Sequence, residues 1–492
     1  MDEVIKNVAV VGGGSAGWLT ALFLQKNYPN LDITVIEDPD SLPIIAGESC
    51  TSPFVNLLEF LGIDFLKWIS YVKAIPKLGG KFINWNGNND FYIQPQFSTY
   101  LNKWLFDHPE LGDNNDFLKG MIALELPIYK TAISGILIER NLTPLTADSL
   151  AVSPMYHFDS RKNADFFKTE GLNREIKLLE SKLLSCEFDK FGISKLNFEN
   201  FSKTYDFYFD CTGFQQKILR KSLGVEFKNY ERYIPTNSVL AWWDDSDHYP
   251  YTEITSMNNG WRFNVSLSGR SGNGYVYDNN FASPDDIKKE IEIAIGKEIE
   301  PIAKLTWENS VTETPWVNNV LAIGLSSGFL EPLGSPGHTL IALQLKLLSE
   351  HWDLNMFSEN CRKVYNAEYQ KLLDDTIDFI LTHYQCKRND TDFWKAHQHG
   401  EYVKTDSLQE KLENWKNSYF DKINMSTYSL ENYSVLIQHY SLTNNKQLIK
   451  LLNNKNSNIL KYVKEEYERL NVIANTVANN CLDYTHWKKL YD

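Results

Sequence analysis

Val8-Ala9-Val10-Val11-Gly12-Gly13-Gly14-Ser15-Ala16-Gly17-Trp18 is the stretch whose reading decides the fold. An apolar run, a cluster of glycines and a helical apolar pattern from Trp18 to Gln25 predict a buried strand, a tight turn and a helix. The glycines stand as Gly-x-Gly-x-x-Gly, in the strand–turn–helix setting that gives the pattern its meaning. Gly12 permits the turn, Gly14 lets backbone approach a pyrophosphate, and Gly17 lets the helix lie against the strand. Ser15 and Ala16, within the same turn, are further expected cofactor contacts. A second strand, Ile33 to Ile36, ends at Glu37, twenty residues beyond Gly17. An acid there bonds the ribose hydroxyls of an adenosine and repels a 2′-phosphate. The expectation is an α/β dinucleotide-binding domain, and the motif by itself does not separate FAD from NAD.

The rest of the chain narrows the class. At 492 residues it holds more than one core. The expected division is an α/β domain over 1–350, carrying a second β-sheet, and a mainly helical domain over 351–492. The weakly patterned insertion at about 98–150 is expected to pack with the helical part. A formal charge of −14 argues against nucleic acid or an anionic membrane as partner. No apolar run reaches the length of a membrane span. The N-terminus starts acidic and its apolar run leads into a glycine turn, so no signal peptide is expected. Six cysteines lie scattered, without Cys-x-x-Cys or a His/Cys cluster, which fits a reducing cytoplasm and no metal site.

Other stretches carry candidate chemistry. Gly47-Glu48-Ser49-Cys50-Thr51-Ser52-Pro53 is a small-residue loop before a helical run, Phe54 to Leu61. Lys77 stands at or just before a strand that includes Phe82, Ile83 and Trp85. Asp113 to Asp116 reads as a loop, and Tyr156-His157-Phe158-Asp159 as the start of a helix running through Phe167. Leu183-Leu184 reads as a short strand able to lend backbone to an adenine. Tyr205 to Gly213 is an apolar strand ending in Asp210-Cys211-Thr212-Gly213, and Trp242-Trp243, Gly260 to Ser266 and Arg270 to Tyr277 alternate as a sheet. Gly328-Phe329-Leu330-Glu331-Pro332-Leu333-Gly334-Ser335-Pro336-Gly337-His338 is a loop between the strand Val320 to Gly324 and a helix, Thr339 to Leu348. Lys346 to Phe379 and Asn458 to Ala478 are helical, and Asn444-Asn445 and Asn453-Asn454 read as loops.

Together these stretches resemble the flavin-dependent tryptophan halogenase family nearly end to end. Its Gly-Gly-Gly-x-Ala-Gly-Trp is Gly12 to Trp18, and its Gly-Glu-[Ala/Ser] loop is Gly47-Glu48-Ser49, with the following proline one residue late at Pro53. Tyr-His-Phe-Asp stands at 156–159, Asp-Cys-Thr-Gly-Phe at 210–214 and Arg-x-Gly-x-Gly-Tyr-Val-Tyr at 270–277. The family's last motif is matched by His383, Tyr384, Arg388, Asp390, Thr391, Phe393 and Trp394. The resemblance implies an aromatic-hydroxylase-type FAD fold and an essential lysine, Lys77. It also implies reduced FAD from a separate flavin reductase, O₂ and a halide, which yield hypohalous acid that passes to Lys77 and halogenates a small aromatic substrate. Leu325 and His338 complete the expected cofactor set, which also holds Gly47, Glu48, Leu183 and Asp210. Dimers are frequent in the family.

Three departures matter. Gly334 replaces the second glutamate of Glu-Pro-Leu-Glu-Ser-Thr-Gly, removing a carboxylate opposite the lysine. Pro336 replaces the threonine whose N–H helps bind halide, and proline has no N–H. Ser335, Pro336 and Gly337 are the expected halide loop. Trp261-Arg262-Phe263-Asn264-Val265-Ser266 stands for Trp-x-Trp-x-Ile-Pro. The expectation is a halogenase that favours bromide or iodide and takes free indoles or phenols. An FAD-dependent aromatic monooxygenase and a non-catalytic flavoprotein are the alternatives. Tyr92, Phe97, His108, Trp394 and Trp487, with space left by Gly334, are the candidate substrate contacts.

Overall fold

The computed structural model describes residues 5–41, 48–97, 114–245, 249–352, 359–400, 402–420 and 425–488. Contacts divide the chain into two compact units, and each is threaded three times. One comprises 1–74, 158–231 and 307–372; the other comprises 75–157, 232–306 and 373–492. The linear split expected near residue 350 follows composition, whereas the contacts follow this interleaved path.

The first unit is built on a six-stranded sheet in the order Trp316–Val317, Val320–Ala322, Phe207–Asp210, Asn7–Val11, Asp32–Glu37 and Lys177–Glu180. All neighbours are parallel except the first pair, as expected where strands alternate with helices. Asn7–Val11 lies near the middle and is buried on both faces, which is why its sequence is a continuous apolar run rather than an alternation. The helix Ser15–Asn27 packs its Trp18 against Gly171 of the helix Ser160–Asn173, where a Cβ would come within 2.6 Å of the indole.

The second unit holds a seven-stranded sheet in the order Pro301–Thr306, Ser238–Asp244, Arg270–Tyr277, Gly260–Leu267, Thr252–Met257, Gly79–Ile83 and Phe91–Pro95. Its neighbours are antiparallel except Thr252–Met257 with Gly79–Ile83. The helix Pro284–Ile295 covers one face, closing on Leu240, Trp242, Tyr275 and Tyr277. A separate two-stranded ribbon pairs Ile75–Lys77 with Met155–His157. Helices from Asp392 onward, including Leu430–Tyr440 and Ile459–Ala478, complete the unit. No described helix is long and apolar enough to cross a membrane.

Several local expectations are corrected. Tyr156 and His157 are strand, and the helix begins at Ser160 because the Asp159 carboxylate accepts the N–H groups of Arg161 and Lys162. Leu183 and Leu184 form a connection, with the strand starting at Ser185. Asn114 to Asp116 open the helix Asn114–Ala123, where Asp116 suits the N-terminal dipole. Asn453 and Asn454 lie inside the helix Asn445–Lys455, capped by Asn444. The helix after the Gly/Pro loop begins at Pro336 rather than Thr339, since proline fits the first turn. The long helical run breaks into Pro336–His351 and Glu359–His383.

Candidate active-site residues

In the first unit the glycine loop is packed too closely for side chains at two of its glycines. Gly12 has φ +125°, and a Cβ on it would lie 2.1 Å from the Cys211 carbonyl oxygen. A Cβ on Gly17 would lie 1.8 Å from the Gly12 oxygen, so that residue sets how closely helix meets strand. Gly14 faces open space, with nothing within 4 Å of its Cβ position. The helix begun by Ser15 and Ala16 has no side-chain cap, which leaves its first N–H groups for an anion. Gly13 has a separate reason to be glycine: its Cβ would fall 2.5 Å from the Glu37 side chain. Glu37 ends its strand as expected and holds an ion pair with Lys168 at 2.6 Å through Oε2. These residues fit a dinucleotide: a bare cradle, an uncapped helix start and a carboxylate at the end of the second strand.

Asp210 is engaged at the end of its strand. Fully buried, it accepts hydrogen bonds from the Thr212 N–H and hydroxyl and from the Ile218 and Leu219 N–H groups, at 2.7–3.1 Å. It shapes the loop after its strand. Leu183 packs in the core with Ala9 and Ile36, and the Leu325 carbonyl accepts from Gln216 at 3.5 Å. Gly47 lies outside the described residues.

Two loops that sequence presented separately are stitched together. The Ser335 hydroxyl donates to Ser49 Oγ at 3.0 Å, Thr51 and Thr339 share a hydroxyl hydrogen bond, and the Glu48 carbonyl accepts the Phe158 N–H. Gly334 and Ser335 have φ of +81° and +58°, so the chain turns sharply just before Pro336. Beyond it, the Cβ position of Gly337 meets nothing within 4 Å. His338 is buried edge-on to Phe54 and Phe158, and burial lowers its pKa to about 4. It presents a neutral imidazole.

In the second unit, Lys77 ends the first strand of the ribbon and is 6% exposed. A lysine this buried is held for a reason, because lysine ammonium groups ordinarily reach water. Sequence reasoning did not single out what surrounds it. His157 is buried on the partner strand with Nε2 2.8 Å from Thr252 Oγ1, and Ser266 accepts the Tyr249 N–H at 2.8 Å. The available signal was the histidine inside the Tyr-His-Phe-Asp motif; its neighbours come from strands nearly a hundred residues away.

Two of the candidate substrate aromatics, Tyr92 and Trp394, make close contacts within the second unit. Tyr92 stacks on Phe82 at 4.6 Å and bonds His383 and Tyr440 through its hydroxyl. Trp394 is fully buried and donates its indole N–H to the Met257 carbonyl. Arg388 lies over that indole while binding Asp390, Ser256 and Asn258, so the motif clamps the hairpin turn after Met257. Trp487 is buried, Phe97 is half-buried, and His108 lies outside the described residues.

The sequence matches the tryptophan halogenase family over residues 7–451. It is 28% identical to tryptophan 6-halogenase SttH of Streptomyces toxytricini, with 86% of each chain covered. Identity to tryptophan 7-halogenase RebH of Lentzea aerocolonigenes is also 28%, over 85% of this chain and 83% of that one. The fold matches BrvH, a flavin-dependent halogenase from Brevundimonas sp. BAL3, with a TM-score of 0.82 at 22% identity over 99% of both chains.

Proposed function

The chain belongs to the tryptophan halogenase family and is a flavin-dependent halogenase, and from that premise we propose that it halogenates an electron-rich indole or phenol through Lys77, with bromide or iodide favoured over chloride. The observation that carries the reading is the burial of Lys77 on its ribbon. Reduced FAD, supplied by a separate flavin reductase, provides the electrons with which O₂ is activated toward halide.

The chain's own residues do the rest. Gly12, Gly14 and Gly17 with the N–H groups of Ser15 and Ala16 hold the pyrophosphate, and Glu37 holds the adenosine ribose. The amide of Gly337 holds the halide, with no help from Pro336, while the Ser335 N–H and hydroxyl are given to the Pro332 carbonyl and Ser49. Lys77 presents its ammonium as a hydrogen-bond donor to the oxidised halogen, or carries the halogen on nitrogen when it is an amine. The aromatic ring then takes up positive halogen and loses a proton.

Halide preference follows from the donor set. Chloride is the most strongly hydrated of the three and loses most when an amide is missing. Bromide and iodide are more easily oxidised, and their oxidised forms need less help from the glutamate that Gly334 replaces. Gly334 also leaves room for a bulkier substrate.

Mass spectrometry of turnover mixtures tests this. Each tube holds FAD, a flavin reductase with NADH, O₂, catalase, an indole or phenol panel, and one halide. A halogen mass shift with bromide and iodide ahead of chloride is expected, and Lys77→Ala is expected to lose it by at least ~100-fold while flavin oxidation continues. Efficient chlorination would sink the halide preference, and a gain of one oxygen without halogen would return the monooxygenase reading.

A further inference from the structure

Lys77 has a neighbour that the reaction as described leaves unused. In the ribbon, Ile75 pairs with His157 and Lys77 pairs with Met155. Directly paired side chains share a face, as do residues two apart along a strand. His157 is therefore the diagonal neighbour of Lys77 on one face. Both are buried, His157 completely.

The imidazole is held from the large sheet. Its Nε2 is 2.8 Å from Thr252 Oγ1, on the strand that pairs with Gly79–Ile83 directly after Lys77. The Ser266 backbone faces the ring from the strand Gly260–Leu267. The Ser266 hydroxyl accepts the Tyr249 N–H at 2.8 Å, just ahead of Thr252, a bond for which proline would offer no hydroxyl. Three elements of the second unit thus converge on His157.

Two adjacent buried bases cannot both be charged without strong repulsion. Burial first, and then the charge of Lys77, hold the His157 pKa well below the ordinary 6.5, with the Ser266 backbone acting weakly the other way. The imidazole stays neutral and does not drive the ammonium away.

We propose that His157 is a positioning residue for Lys77: hydrogen-bonded to Thr252, it locks the ribbon in register with the large sheet and fixes where the lysine nitrogen meets the halogen. This rests on the reading of Lys77 as the halogen-transfer residue.

The test compares the parent with His157→Asn, His157→Phe, Thr252→Val and Lys77→Ala, each with FAD, a flavin reductase, bromide and an indole. FAD affinity and thermal midpoint establish folding. The quantities read are brominated indole per flavin oxidised, the KM for indole, and oxidised bromine captured by an added β-diketone. His157→Phe and Thr252→Val are expected to lower the yield per flavin about 10-fold, with more bromine captured and KM unchanged, as a small misplacement of a reacting group does. His157→Asn, whose amide can bond Thr252, is expected to recover most of the yield. A folded, FAD-binding His157→Phe with the parent's yield overturns the proposal, as does His157→Asn performing no better than His157→Phe. Should His157→Phe not fold, Thr252→Val decides by the same criterion. If Lys77→Ala keeps the yield, the lysine reading fails and this one falls with it; if Lys77→Ala is inactive while the His157 and Thr252 variants behave as the parent, His157 alone is refuted.

Discussion

The proposed halide preference rests on two single residues, Gly334 and Pro336. Restoring an N–H with Pro336→Thr is expected to raise chloride incorporation relative to bromide several-fold, since one added donor is worth about 1 kcal/mol or more at an anion. Competition between the two halides in one tube checks this, and an unchanged ratio removes Pro336 from the argument. Restoring the glutamate is harder. Gly334 has φ +81°, so Gly334→Glu is expected to cost about 1–2 kcal/mol in backbone strain, read as a lower thermal midpoint shared by Gly334→Ala. At the other loop, Gly13→Ala is expected to abolish FAD binding by driving a methyl group into Glu37, measured by flavin fluorescence. The glycine positions were legible in the sequence because their spacing encodes the turn. The reason for Gly13 was not, since it depends on where a side chain of the next strand crosses the loop.

At the scale of elements, legibility followed the strength of the local signal. The strand–turn–helix at Val8 carried agreeing signals at every position and matches the structure. The stretch Tyr156 to Phe167 carried conflicting ones: its aromatics suit helix or strand, and the boundary is set by one capping carboxylate. Asp159→Ala is expected to destabilise the first unit by about 1 kcal/mol, measured by chemical denaturation. Asn453 and Asn454 read as loop because asparagine favours turns, yet buried Leu448 and Leu452 hold their helix in place. The ribbon that carries Lys77 was legible only in part. A strand near Lys77 follows from composition, but its partner lies about eighty residues on, and such pairings are decided by packing rather than by local sequence. Trp394 shows the same limit: its motif was visible, and its service as a clamp on a distant hairpin was not.

Across the whole molecule, buried neutral histidines set the response to acid. His157, His338, His383 and His397 are each lowered by burial from 6.5: His157 well below it, His338 to about 4, and His383 and His397 to about 3. The unfolded chain binds their protons as pH falls below about 6.5 while the folded chain does not, so stability is full above that value and declines below it. Each histidine contributes a slope of about 1.4 kcal/mol per pH unit, and the four together about 5. Asp375, raised by burial, works the other way at lower pH. A thermal midpoint flat above about pH 7 and falling steeply below about pH 6 is expected; a midpoint unchanged to about pH 5 would contradict it. The interleaved path through the two units has a consequence for synthesis. The first unit has all its segments once residue 372 has left the ribosome, but the ribbon bearing Lys77 belongs to a body whose last segment is 373–492. Segments 75–157 and 232–306 therefore wait, partly unsatisfied, through much of translation, and the first unit can close while the second still lacks its last segment.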